Sequence, residues 1–280
     1  MAGMHRSKVS RRLVLGGAAA AVTVAAGASP AAADTYPADP YQGKRPHLIE
    51  AEQIIGYLGL PESPAANNVY KDAGEANVVT WGTPGQPLTW RNQSQCASFQ
   101  TAVLRHTYPE WADDTFFLTN FGTTSPTART YQNTFATRAV PHFTPVTTVT
   151  GLQPGDLIAI DYVNGQTTNT GHIVMVRELK GVYVAPSSTL NFDGETQYAV
   201  EIADCTSDPH GEFGIGNYPA FPDSRIAADG TQREGIGYGH IMLYASTATG
   251  AFTRYRWSVN SSSSKTYTVA QRPISAMRVG

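Results

Sequence analysis

Apolar residues recur at helical spacing in two places. Leu48, Ala51, Ile54, Ile55 and Leu58 form one stripe, which predicts a helix over 47–60 stopped by Gly59 and Pro61. Cys96, Phe99, Val103 and His106 form a second stripe, with Ser94 as its expected N-cap and Pro109 as its stop. Residues 34–46 contain three prolines and read as irregular, and residues 61–93 read as loop with a short strand at Val78–Trp81. Residues 110–150 show no firm period. From Gln153 the period changes to two. Leu157–Tyr162, His172–Leu179, Tyr198–Cys205, Gly239–Ser246, Ala251–Ser258 and Lys265–Gln271 predict strands. A Gly-, Pro- and Asp-rich stretch over 206–238 separates the third from the fourth. Helices followed by a run of strands predict an α+β fold in which a helix packs on an antiparallel sheet.

The 280 residues are 41% hydrophobic and 15% charged, a globular composition. The net charge of −2 hides an asymmetry. Residues 1–33 hold Arg6, Lys8, Arg11 and Arg12 and no acid. Of the 20 basic groups, 16 then remain against 22 acids, a net of −6. That balance argues against a nucleic-acid partner. Ser10-Arg11-Arg12-Leu13-Val14-Leu15 followed by an uncharged, Ala- and Gly-rich stretch and Ala31-Ala32-Ala33 predicts a twin-arginine (Tat) signal peptide cleaved near Ala33. The stretch from Leu13 to Ala28 is short of the roughly 20 apolar residues that a membrane span needs, so no stable membrane anchor is expected. The expected product is an exported single domain over 34–280, with a core at 90–205 and a β-rich C-terminal extension at 206–280.

Candidate chemistry centres on the two cysteines. In an exported protein Cys96 and Cys205 first suggest a disulfide. Strand parity opposes it: if Asp204 shares the face of Ile202, Cys205 points the other way, and a helix-borne Cys96 packed on the Asp204 face misses it. The functional reading places Cys96 at the second position of its helix, where the dipole and free amides favour a thiolate. His172 opens a strand on the Val174/Val176 face. Pairing Val174 with Ile202 brings His172 opposite Asp204. Cys96 as nucleophile, His172 as base and Asp204 as its orienter then make a triad.

Gln95-Cys96-Ala97-Ser98-Phe99, Leu152-Gln153-Pro154-Gly155-Asp156-Leu157-Ile158 and Gly171-His172-Ile173-Val174-Met175-Val176 together resemble the NlpC-type and CHAP superfamily of circularly permuted papain-like cysteine hydrolases. The resemblance spans roughly 90–205. It implies a permuted papain-like fold and a secreted peptidase or amidase with Cys96, His172 and Asp204 as its triad. It also implies a peptide or cell-wall-derived substrate, and no cofactor or metal is required. The protein is expected to act as a monomer.

Gln95, Asn92 and Trp90 are the expected oxyanion and cleft residues, with Gln93, Tyr162 and Trp257 as further candidates; capping and core packing are their ordinary duties. His240 is a rival base, although a strand histidine is more often structural. His210 and Glu212 could hold a metal. Two other functions stay open: transglutaminase-like acyl transfer, and a secreted binding or structural protein on the same scaffold.

Overall fold

A computed structural model describes residues 43–211, 220–227 and 229–280. The expected Tat signal and cleavage site, and Glu212, lie outside the described residues. The architecture is α+β, with four α-helices beside a large antiparallel sheet. Helix α1 (Pro46–Leu58) buries Leu48, Ala51, Ile54, Ile55 and Leu58, the predicted stripe. A small sheet follows, in which β3 (Arg91–Ser94) lies between β1 (Asn68–Tyr70) and β2 (Val78–Thr80). Helix α2 (Cys96–Thr107) buries Cys96, Phe99 and Val103, whereas His106 stays exposed and stacks on Trp81.

The stretch without a firm period holds α3 (Asp114–Phe121), α4 (Ala128–Thr137) and β4 (Phe143–Val146). Asp113 and Thr127 cap the two helices by accepting from the Phe116 and Thr130 amides. The remaining strands are β5 (Leu157–Asp161), β6 (Gly171–Val182), β7 (Glu195–Thr206), β8 (Gly235–Ser246), β9 (Phe252–Arg256), β10 (Thr266–Thr268) and β11 (Ile274–Val279). They form one sheet with β4, in the order β10-β9-β8-β7-β6-β5-β11-β4. Strands from both sides of residue 205 therefore share one sheet. Strand β8 pairs with β7 along its whole length, and β11 sits between β5 and β4, so residues 206–280 build the core rather than extend it.

The sheet curls until Thr148, just past β4, bridges Ala251, just before β9. Its two faces carry separate cores. Ile173, Met175, Ala203 and Cys205 face α2, packing with Ala97, Phe99 and Val103. Val174, Val176, Val200 and Ile202 line the concave side with Ile241, Leu243 and Tyr255. Among the described residues no helix is long and apolar enough to cross a membrane.

One buried histidine contributes to the acid sensitivity of this frame. His47 on α1 is fully buried; its Nε2 donates to the Gly155 carbonyl at 2.6 Å and its Nδ1 accepts from the Tyr108 hydroxyl at 2.9 Å. Burial, which the Gly155 bond only partly offsets, lowers its pKa to about 4. A depressed pKa means that the unfolded chain binds the proton more readily. The stabilisation is thus full above about pH 6.5 and is lost as the pH falls toward and through 4. Between pH 7 and 4 the fold should lose about 3 kcal/mol from this group. Urea unfolding at both values should show the loss, and His47→Gln should flatten it.

Candidate active site

Cys96 is the first residue of α2, and the helix enters directly from β3. The observed N-cap is Gln95 rather than Ser94, which moves Cys96 from the second helical position to the first. Gln95 and Ser98 make a reciprocal capping box: the Gln95 side chain accepts from the Ser98 amide, and Ser98 Oγ accepts from the Gln95 amide at 2.9 Å. Among the described residues the Cys96 and Ala97 amides are left without an intramolecular acceptor.

The first residue of β6, Gly171, brings its carbonyl 4.0 Å from Cys96 Sγ. A Cβ at Gly171 would lie 2.0 Å from the Ile160 carbonyl oxygen, so only glycine lets β6 start this close to β5. His172 follows. Its Nε2 meets Asp204 Oδ2 at 2.8 Å, which leaves Nδ1 as the nitrogen not engaged by Asp204, and His172 and Cys96 line the same cleft. Burial disfavours a charged His172, but Cys96 and Asp204 outweigh it and raise the pKa.

The register differs from the expected one. Val176, not Val174, faces Ile202, a shift of two residues. An even shift preserves the faces, so His172 and Asp204 still share the concave side and meet diagonally. The face assigned to α2 is reversed. The helix packs on the Cys205 side, and Cys96 reaches His172 at the end of β6 rather than across the sheet. Both thiols are nonetheless free. Cys205 is fully buried and donates to the Ser94 carbonyl at 3.2 Å, and burial pushes its pKa up to about 12.

Asp204 is the hub of a buried ionic ring. Its Oδ2 also meets His210 Nε2 at 3.0 Å, and its Oδ1 accepts from Arg225 Nη1 at 2.8 Å. Arg225 grips Asp223 through Nε and Nη2 at 2.9 and 2.8 Å, and Asp223 Oδ2 accepts from the His210 backbone amide at 2.7 Å. Burial works against ionising Asp204, but Arg225, His210 and His172 hold its carboxyl well below the usual range. On β8, a Cβ at Gly239 would lie 2.5 Å from Asp223 Oδ2 and 2.8 Å from His210 Cβ. Glycine there makes room for the ring.

His210 Nδ1 lies 2.7 Å from the Trp257 carbonyl. Both ring nitrogens thus face acceptors. Trp257 stacks on His210 at 3.9 Å and lies 4.7 Å from the His172 ring. The spacing of His172, Asp204 and His210 would also suit a metal ion, their ligand atoms lying within 4.8 Å of one another. Arg225, already bound to Asp204, puts a guanidinium where that cation would need an unpaired carboxylate.

No family model matches this chain, and no solved structure matches it. A relative, "Uncharacterized protein R653" of Acanthamoeba polyphaga mimivirus, is 28% identical over 190 residues, covering 66% of this chain and 77% of that protein.

Cys96 and His172 open onto a cleft of about 1010 Å³ that Gln95, Tyr162 and Trp257 also line. Of the expected oxyanion and cleft residues, Gln95 is committed to capping, and its Nε2 donates to the Lys71 carbonyl at 3.2 Å. Asn92 is buried, donating to Asn68 Oδ1 and the Val69 carbonyl and accepting from Ser94 Oγ. Trp90 is core, stacked on Tyr57 at 4.2 Å. Gln93 bonds to Glu75 and Arg91. The rival base His240 is buried against the Pro222 carbonyl at 3.1 Å, outside the cleft, and burial lowers its pKa. Sequence reasoning missed Arg225 and Asp223 altogether, although Gly235-Ile236-Gly237-Tyr238-Gly239 is the alternation that a close-packed cluster over a strand requires.

Proposed function

We propose that this chain is a cysteine hydrolase of the permuted papain-like type, cleaving an amide or peptide bond through a thioester on Cys96. The observation that carries the reading is Cys96 at the start of α2, beside a buried His172 whose far nitrogen is held by Asp204. In the reaction His172 Nδ1 takes the thiol proton and the Cys96 sulfur attacks the carbonyl carbon. The free Cys96 and Ala97 amides stabilise the oxyanion, a task the committed Gln95 side chain leaves to the backbone. The imidazolium returns its proton to the departing amine, leaving a thioester. Water, deprotonated by His172, then releases the acid and regenerates the thiol. Asp204 keeps the proton on Nε2 throughout, so Nδ1 is free for the exchange.

The substrate is a peptide or a cell-wall-derived amide, met outside the cytoplasmic membrane after Tat export. The enzyme acts as a monomer without a cofactor. At net −6 the exported chain does not hold polyanionic wall polymers by bulk charge, so recognition is local to the cleft.

Iodoacetamide treatment of the native protein, followed by peptide mapping, tests the reading. Cys96, in the cleft, should be labelled at pH 6 and pH 8, and the fully buried Cys205 should not. An unlabelled Cys96, or labelling that shuts off at pH 6 as for an ordinary thiol, would overturn it.

A further inference from the structure

The same cleft holds a guanidinium that the triad does not use. Arg272 lies in the turn between β10 and β11 and lines the cleft with Tyr162, Tyr255 and Tyr267. Its guanidinium carbon sits 3.5 Å from the Tyr267 ring centroid and 4.1 Å from that of Tyr162. Its Nη1 donates to the Tyr255 hydroxyl at 2.7 Å. Two aromatic faces and one hydrogen bond thus fix the group. No carboxylate among the described residues pairs with it, whereas Arg254 and Arg278 each grip one and Arg225 grips two.

Cys96 and Tyr162 line the same cleft, and Arg272 sits against the Tyr162 ring. The cation and the sulfur therefore face one shared space. A rigid planar fork with unused N–H donors in a cleft is suited to a carboxylate, which it can meet with two parallel hydrogen bonds. Tyrosine walls reduce the water that competes for those donors.

We infer that Arg272 is a specificity determinant of the cleft, binding a carboxylate on the substrate whose scissile bond is attacked by Cys96 in the same cleft. The inference rests on the proposed hydrolase reading for its role, but the binding site stands on its own geometry. It narrows the substrate class to acyl compounds bearing a free carboxylate, either an acidic side chain or a chain terminus.

Paired thiol reagents test the inference. 3-Maleimidopropionic acid and its carboxamide differ only in the charged group, and intact mass gives the rate at which each adds to Cys96. The acid should gain about tenfold over the amide relative to a free thiol, and Arg272→Gln should bring the acid-to-amide ratio down to that of a free thiol. Near-UV circular dichroism shows whether the variant is folded. An acid-over-amide ratio that is the same in Arg272→Gln as in the wild type would overturn the inference.

A second measurement needs no reactive thiol. N-Acetyl-alanylalanine presents a terminal carboxylate and N-acetylglutamate α-amide a side-chain carboxylate, each with its carboxamide as control. At least one acid should raise the melting temperature where its carboxamide does not, and the acid that does so identifies the source of the carboxylate. Arg272→Lys should lose most of the shift. If neither reagent labels Cys96, the hydrolase reading falls and this melting shift alone decides the carboxylate site. No shift with either acid would overturn it.

Discussion

Arg225→Met should destabilise the protein by about 3–5 kcal/mol, the usual cost of removing one partner from a buried ion pair. Arg225 is the sole cation bonded to both Asp204 and Asp223 among the described residues, and all three are buried. Without it, Asp204 keeps two imidazole contacts, but Asp223 keeps only backbone amides. Two carboxylates would then share a low-dielectric pocket without the group that separates them. For a domain of this size the melting temperature should fall by about 6–20 °C. Arg225→Lys should lie between, because one ammonium cannot reproduce the fork that spans both acids. Arg225→Met combined with Asp223→Asn should recover part of the loss by removing one stranded charge. Denaturant unfolding of the four proteins checks this, and equal stability of Arg225→Met and wild type would show that the ring is not a structural unit. Because the ring anchors Asp204, Arg225→Met should also slow Cys96 alkylation at pH 6.

The helices α1 and α2 and most strands after Gln153 were legible because each buries one face, which leaves a period of 3.6 or 2 in the sequence. The elements that escaped are those whose burial does not follow that rule. Strand β3 buries Asn92 and Ser94, polar side chains that bond to Asn68, Val69 and Cys205, so it reads as loop. Helix α3 is short and buries only Phe117 and Phe121, and the buried stripe of α4 mixes Gln132 and Thr134 with Ala128, Tyr131 and Phe135; their caps at Asp113 and Thr127 were the available signal. Strand β11 inserts between β5 and β4 from the end of the chain, and pairing at that distance leaves no local mark. At the site, Cys96, His172 and Asp204 could be picked out because a helix start and two apolar strands fix where each points. His210, Asp223 and Arg225 come from a stretch rich in turn residues. Charged groups there read as solvated surface until the fold shows that they neutralise one another in the interior.

His172→Ala should lower the rate of Cys96 alkylation at pH 6 by about 10–100-fold. An ordinary thiol is roughly 0.3% thiolate at that pH, and an imidazole that takes the thiol proton raises that fraction. Full ionisation alone would give about 300-fold, but a stabilised thiolate is a weaker nucleophile, which takes back part of the gain. The sign with pH follows from His172, whose pKa is raised because Cys96 and Asp204 outweigh the effect of burial. Its proton is retained above pH 6.5 and lost only as the pH rises through the higher folded value, so the wild-type rate should stay high from mildly acid to neutral pH. In His172→Ala the rate should instead climb steadily toward pH 8.5, as for a free thiol. Turnover, once a substrate is in hand, should show the complementary limb: the imidazolium must protonate the leaving amine, so acylation should decline as His172 loses its proton. Asp204→Asn keeps the shape but presents an amide to Nε2, and it should fall between the two proteins at pH 6. A rate profile identical in wild type and His172→Ala would show that the imidazole does not act on the sulfur, and the triad would then reduce to a buried ionic cluster beside an ordinary cysteine.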